Sequence, residues 1–180
     1  MTCIVGLEDK GHVYLGCDSV QTNGYFSSAI DCKKIFKNGP LTLGYTSSFR
    51  FADLLQYNLS VPAQSKDIPD DRQYLVTVVV KAIRETLKNG GFATISSNNE
   101  SGGTCLIAYK NKLYTMQDDY SIVRDINGYA SVGSGSYFAL GSLASTYKMK
   151  LKPEEKVKLA LEAAISHCAT VKGPAHIEKV

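Results

Sequence analysis

The order of strand-like and helix-like segments limits this 180-residue chain to few architectures. Residues 2–8 and 12–18 have the composition of two strands, and Asp9-Lys10-Gly11 between them is a turn-type sequence. A second pair is predicted over 27–37 and 41–46. Because both connections are short, each pair is expected to be antiparallel.

Two helices are predicted next. Ser47 or Ser48 can cap a short helix, and Asp70 and Asp71 open a longer one that ends at Asn89-Gly90-Gly91. The apolar residues that recur at helical spacing predict the buried faces. In the short helix they are Phe51, Leu54, Leu55 and Leu59, and in the long helix Val76, Val79, Val80, Ile83 and Leu87.

The second half repeats this order. Residues 94–103 are expected to form a mobile loop, followed by strands at 104–109, 112–116 and 129–132. A helix is predicted from near Tyr137, another from Pro153 to before Gly173-Pro174, and a final strand over 176–180. Strands, two helices, strands and two helices predict a single α+β domain over 1–180, with helices outside antiparallel sheets.

Composition excludes several function classes. The net charge of +3 is small and spread along the chain, which argues against a nucleic-acid surface, and no apolar run is long enough for a membrane helix. The N-terminus has no signal-peptide pattern, so a cytoplasmic protein is expected. Five cysteines without CxxC spacing indicate neither a disulfide framework nor a zinc site: Cys3, Cys17, Cys32, Cys105 and Cys168.

Thr2 is the first residue with a chemical role to consider. If Met1 is removed, Thr2 carries a hydroxyl and a free amine whose ordinary pKa is about 7.7–8.0. Nucleophile and base are then supplied by one residue. Such a pair needs a nearby cation held by an anion, and Lys34 and Asp18 lie at the ends of apolar strands. The alternative is that both are solvated strand-end charges.

The opening segment resembles proteasome β subunits and the bacterial HslV (ClpQ) peptidase. The matching residues are Thr2, Cys17-Asp18-Ser19, Thr22-Asn23-Gly24 and Lys34-Ile35, which keep the family's spacing without a gap. The resemblance implies a threonine endopeptidase with Thr2 as nucleophile, and a four-layer αββα sandwich of the N-terminal nucleophile hydrolase type.

A second segment, SVGSGSYFALGSLAS from 131 to 145, resembles the family's Gly-Ser-Gly-Ser turn and following helix. Ser134 matches the serine that helps move the proton of the threonine amine. A phosphate cradle is the competing interpretation, since a strand, a glycine loop and a helix also form nucleotide sites. The third glycine of such a motif would fall at Phe138, and no Walker lysine follows.

The resemblance places the oxyanion donor in Thr46-Ser47-Ser48, with the backbone N–H of Ser48 at the family's position. Relatives have glycine here, so Ser48 is expected to adopt a geometry that glycine reaches more easily. By position, Val20, Cys32, Thr46 and Arg50 line the substrate pocket, a mixed set that indicates no clear preference.

The last helix is closer to HslV than to the proteasome. Proteasome β subunits have an aspartate and a serine where this chain has Cys168 and Val171. The resemblance implies no required cofactor, but a monovalent cation such as Na⁺ bound by the backbone carbonyls of Ile165, Cys168 and Val171. Cys3, beside Thr2 on a strand, is expected to face away from the site as a core thiol.

Partners are implied by the resemblance alone. The chain is expected to self-assemble into one or two stacked rings of six or seven subunits, to receive unfolded polypeptide from an HslU-like ATPase ring, and to bind neither nucleic acid nor membrane. Two alternatives remain open at this point. One is a catalytically inactive ring or assembly subunit of the same fold, and the other is an N-terminal nucleophile amidase acting on a small molecule.

Overall fold

A computed structural model describes residues 1–23, 25–31 and 33–180. Its strands in chain order are β1 (Cys3–Asp9), β2 (His12–Cys17), β3 (Val20–Asn23), β4 (Phe26–Ala29), β5 (Ile35–Asn38), β6 (Leu41–Tyr45), β7 (Thr94–Ser96), β8 (Asn99–Ser101), β9 (Cys105–Tyr109), β10 (Lys112–Met116), β11 (Ile122–Val123), β12 (Tyr129–Gly133) and β13 (His176–Lys179). Its α-helices are α1 (Phe49–Asp53), α2 (Asp71–Tyr74), α3 (Val80–Asn89), α4 (Ser136–Thr146) and α5 (Pro153–His167).

Two antiparallel sheets form the middle of the molecule. The first has the strand order β12-β1-β2-β13, and the second has the order β11-β10-β9-β6-β5. Strands β3 and β4 form a separate hairpin between the two sheets in chain order. The turn predicted at Asp9-Lys10-Gly11 is confirmed, since Lys10 and Gly11 join β1 to β2. Lys110 and Asn111 join β9 to β10 in the same way.

Side chains that point alternately to the two faces of β1 show how the sheets and helices are layered. Ile4 packs between the sheets with Leu15 and Leu106, whereas Val5 and Leu7 on the opposite face pack under α4 and α5. The outer face of the second sheet is covered by α1, α2 and α3 through a separate core cluster. The order is therefore helices, sheet, sheet, helices, and the predicted α+β sandwich is confirmed.

The two N-terminal helices contain wide turns. Two five-residue π-helical segments, Leu54–Asn58 and Leu75–Val79, continue α1 and α2. A π-helical turn contains about one residue more than an α-helical turn. The second segment shifts the helix phase, so Leu75 is fully buried and Val76 is 39% exposed, contrary to the face predicted for Val76. Across the described ranges, none of the helices is long and apolar enough to span a bilayer.

Two segments differ from their predicted form. The single strand expected over 27–37 is two strands, because β4 pairs with β3 while β5 pairs with β6. The expected mobile loop over 94–103 is the β7–β8 hairpin. Its turn residues Ser97 and Asn98 both have positive φ, 49° and 66°, as a two-residue type I′ turn requires.

Candidate active site

Thr2 lies directly before β1, with only 5% of its surface exposed. Strands β1 and β2 pair with Ile4 opposite Cys17, so Asp18 comes directly beside the start of the chain. The Thr2 hydroxyl donates to Asp18 Oδ1 at 2.5 Å, and the Cys3 amide donates to the same oxygen at 3.0 Å. The strand register therefore brings this carboxylate to the side chain of Thr2.

Lys34 reaches the same carboxylate from the other sheet. It precedes β5, an edge strand of the second sheet, and its Nζ lies 2.9 Å from both oxygens of Asp18. Nζ also donates to the Val20 carbonyl at 2.6 Å, so all three ammonium hydrogens have acceptors. The Thr2 hydroxyl and the Lys34 ammonium consequently share one carboxylate oxygen.

The interpretation of Asp18 and Lys34 as solvated strand-end charges is wrong. Their exposed fractions are 1% and 3%, and burial of a charge is costly unless it is paired and hydrogen-bonded. Hydrophobic residues of similar volume often replace such a pair without loss of stability, so stability alone does not account for it. A buried ion pair that shares a hydrogen-bonding oxygen with a hydroxyl is an arrangement that can adjust proton transfer at that hydroxyl.

The backbone of Thr2 is held by the turn after β12. The Thr2 carbonyl accepts hydrogen bonds from the Ser134 hydroxyl at 3.2 Å and from the Gly135 amide at 3.3 Å. Gly133 has a φ of +100°, and a Cβ there would lie 2.3 Å from the Thr2 carbonyl oxygen. The glycine-rich turn is thus needed for close backbone approach to Thr2 and not for binding a phosphate.

Gly133→Ala is therefore expected to destabilise the fold and to displace Thr2. Backbone strain and overpacking together predict a loss of about 2–4 kcal/mol in unfolding free energy. Gly141→Ala is the matched control, because Gly141 lies within α4 and a Cβ there meets no atom within 4 Å. Urea unfolding should show Gly141→Ala to be neutral or slightly stabilising. Equal stability of the two variants would contradict this account of the turn.

A hydroxyl that the sequence did not single out completes this side of the site. Thr170 Oγ1 lies 2.9 Å from Ser134 Oγ and 3.3 Å from Cys168 Sγ. Burial raises the pKa of the Cys168 thiol, but hydrogen bonds from Thr170 and Ser134 outweigh it, and the net pKa is below the ordinary value. Val171, the position at which the resemblance placed the family's serine, is fully buried in the helix–sheet core. The signal in the sequence was Thr170, a residue with a hydroxyl that directly precedes Val171.

The turn that precedes α1 has a different geometry from the one expected. Ser48 has an extended φ of −151° and caps α1 by accepting the Phe51 amide, whereas Ser47 carries the positive φ of 76°. The strained residue is thus Ser47, and the expectation for Ser48 was wrong. The Ser48 amide donates to the Thr46 carbonyl at 3.1 Å, which closes a three-residue turn around Ser47.

An open cleft of about 470 Å³ adjoins Thr2. Thr46 and Arg50 line it as predicted, while Val20 is buried and turns its carbonyl to Lys34. Cys32, predicted for this pocket, lies outside the described residues, as does Gly24 of the Thr-x-Gly motif. The cleft is lined by Met1, Thr2, Gln21, Thr22, Asn23, Phe26, Lys34, Tyr45, Thr46, Ser47, Ser48, Phe49 and Arg50.

Cys3 is not placed to react. It is fully buried in the cluster beneath α4 and α5, on the face of β1 opposite to Ile4. Burial raises the pKa of its thiol to about 12, which keeps the sulfur protonated near neutral pH. The expectation of a core thiol facing away from the site is confirmed.

The carbonyls expected to bind a cation lie at the end of α5. Cys168 follows the last helical residue, and the carbonyl of Ile165 is among the last four of the helix, which have no partner within it. Cys168 O accepts the Val171 amide at 3.1 Å and keeps a second lone pair. Neutral oxygens at the negative end of a helix fit a monovalent cation. Over the described positions, His, Cys, Asp and Glu form no cluster of three suited to a metal ion.

Whether Met1 is attached determines whether the Thr2 nitrogen can take part in proton transfer. Met1 is joined to Thr2 and lines the same cleft, with 52% of its surface exposed. While that peptide bond is intact, the Thr2 nitrogen is an amide and cannot act as a base. Its removal would expose an amine next to the hydroxyl and the buried ion pair.

Comparison with known proteins agrees with this geometry. The family model for "Proteasome subunit" matches residues 1–173. Proteasome subunit beta 1 of Hyperthermus butylicus is 26% identical over 166 residues, covering 88% of this chain and 77% of the relative. Solved structures that share the fold include two that match nearly the whole chain. BPH of Thiobacillus denitrificans in complex with epoxomicin has a TM-score of 0.81 at 18% identity, covering 99% of this chain and 97% of its own. Eukaryotic HslV from Trypanosoma brucei has a TM-score of 0.74 at 15% identity, covering 98% of each chain.

The match to the family model spans nearly the whole chain, and the similarity to solved structures extends over both sheets and both helical layers. The chain belongs to the proteasome subunit family.

Proposed function

We propose that this chain is a threonine endopeptidase that cleaves unfolded polypeptide with Thr2 as its nucleophile after removal of Met1. One observation carries the proposal: the Thr2 hydroxyl and the Lys34 ammonium both bind Asp18 Oδ1 in a buried site. A hydroxyl, a cation and a carboxylate at this spacing beside an open cleft are what activated nucleophiles require.

Proton transfer begins at the liberated amine. The adjacent Lys34 ammonium is a like charge, which disfavours protonation of the amine and so lowers its pKa. The neutral amine then accepts the Thr2 hydroxyl proton, directly or through water near Ser134, as Oγ attacks the peptide carbonyl. Asp18 holds Lys34 in place, because its two oxygens accept two of the three ammonium hydrogens.

The tetrahedral intermediate needs a donor for its negative oxygen. The Ser48 amide borders the cleft and is the proposed donor, which requires it to exchange the Thr46 carbonyl for the oxyanion. The amine of the departing peptide fragment takes a proton from the Thr2 ammonium as the peptide C–N bond breaks. Water then attacks the acyl-enzyme ester while the Thr2 amine takes its proton. The resulting ammonium returns that proton to Thr2 Oγ as the ester bond breaks and the carboxylic acid product is released.

Assembly is also part of the proposal. Membership of the proteasome family supports stacked rings of six or seven copies that enclose the sites, with an HslU-like ATPase as the partner that supplies unfolded chains. Na⁺ would be held by carbonyls of Ile165, Cys168 and Val171. It would stabilise the turn that carries Thr170 and would supply no chemistry to the reaction.

A second candidate function follows from Met1. A chain that keeps Met1 has an amide at Thr2 and could serve only as an inactive ring or assembly subunit. Intact mass measurement separates the two, combined with an assay on an unfolded protein such as casein. A species that begins at Thr2 and degrades casein supports the peptidase. A processed species without any peptidase activity would contradict the proposal.

A further inference from the structure

The cleft beside Thr2 has an uneven distribution of charge. Among its described lining residues are two cations, Lys34 and Arg50, and no aspartate or glutamate. The Lys34 charge is balanced by Asp18, which contacts it with both carboxylate oxygens. Among the charged side chains that line the cleft, Arg50 is therefore the one whose charge no carboxylate balances.

The guanidinium of Arg50 is fixed by a neutral partner. Its Nη2 donates to the Gly90 carbonyl at 3.0 Å, whereas Arg84 and Arg124 form ion pairs with glutamates. Arg50 also borders a second groove, which includes Glu85, so it stands between this groove and the cleft. An exposed arginine that is anchored at one nitrogen keeps its other N–H groups for a ligand carboxylate.

Aromatic residues supply the rest of the recognition surface. Phe26 and Phe49 line the cleft and are 60% and 37% exposed, and the buried ring of Tyr45 lies against Phe49 at a centroid distance of 6.3 Å. These rings can cover an aliphatic stem. A stem that ends in a negative charge fits both the rings and Arg50.

We propose that Arg50 makes this cleft select peptide bonds that follow glutamate, and reject those that follow lysine or arginine. The inference rests on the proposed peptidase function, because it concerns the side chain next to the carbonyl that Thr2 attacks. Complementary charge favours the acidic residue, and like charge disfavours the basic one. The neutral isostere glutamine is expected to lie between them.

Fluorogenic peptides that differ only in Glu, Gln or Lys before the cleaved bond test this selection. In the processed wild type, kcat/KM for the Glu peptide should exceed that for the Lys peptide by about tenfold or more, and the ratio should fall as salt rises. Arg50→Gln should bring the Glu and Gln peptides to equal rates, and Arg50→Glu should make the Lys peptide the preferred one.

Arg72→Glu is the matched control. Arg72 lies in α2 and likewise donates to a backbone carbonyl, that of Ile122. It is not among the residues that line the cleft. Its variant should keep the wild-type order of substrates. If Thr2-dependent cleavage occurs but Arg50→Glu leaves the Glu-to-Lys ratio unchanged, this inference is wrong and the peptidase function stands. If no peptide is cleaved in a Thr2-dependent way, the proposed function itself fails.

Discussion

Thr2→Ala is expected to reduce peptide hydrolysis by about 10³-fold or more, because the variant has no hydroxyl to form the acyl-enzyme. Alanine is small, so removal of Met1 should proceed as in the wild type and the free amine should still form. The lost hydrogen bond to Asp18 Oδ1 leaves that oxygen bound to Lys34 and to the Cys3 amide. Folding and assembly should therefore be retained, as judged by thermal unfolding and size-exclusion chromatography.

Thr2→Ser supplies the control for this experiment. Serine keeps both the hydroxyl and the amine and loses only the methyl group, so measurable turnover should persist. An alanine variant that hydrolyses peptides at the wild-type rate would show that another residue is the nucleophile. Loss of assembly in Thr2→Ala alone would show a structural role for the hydroxyl in place of a chemical one.

Lys34→Met is expected to have the second largest effect, on both stability and rate. It leaves the Asp18 carboxylate buried without a counter-ion, which predicts a loss of about 3–5 kcal/mol in unfolding free energy. It also removes the cation that is proposed to lower the pKa of the Thr2 amine. A decrease in kcat of about 10²–10⁴ is expected from the lost general-base catalysis.

A double variant separates these two effects. In Asp18→Asn with Lys34→Met, both charges are absent, so most of the stability should return in urea unfolding. The activity should remain as low as in Lys34→Met. Recovery of activity together with stability would mean that the ion pair has only a structural role, and the proposed mechanism would be wrong.

Much of the site could be predicted from residue type and position in the chain. Asp18 and Lys34 are charged residues at the ends of apolar strands, and a buried charge demands a partner. The antiparallel register of β1 and β2, with Ile4 opposite Cys17, then places Asp18 beside Thr2. The two turn glycines have separate structural reasons. A Cβ at Gly133 would collide with the Thr2 carbonyl, and a Cβ at Gly135 would crowd Cys3, Ala164 and Val171.

Other features depend on contacts that local sequence does not encode. Thr170 gains its position only because the turn after α5 packs beside the Ser134 turn, more than thirty residues away in the chain. The exposure of Val76 follows from a π segment whose extra residue changes the helix phase, and propensity does not signal such a segment. The positive φ at Ser47 depends on the turn that Thr46 and Ser48 close around it.

Covalent capture of the nucleophile tests the central claim most directly. Processed protein should be incubated with a peptide that carries an electrophilic epoxyketone, digested, and analysed by mass spectrometry for the modified residue. The account predicts one adduct per chain, on the N-terminal peptide beginning at Thr2, and no adduct in Thr2→Ala. An adduct on a cysteine or another serine, with Thr2 unmodified and activity lost, would contradict it.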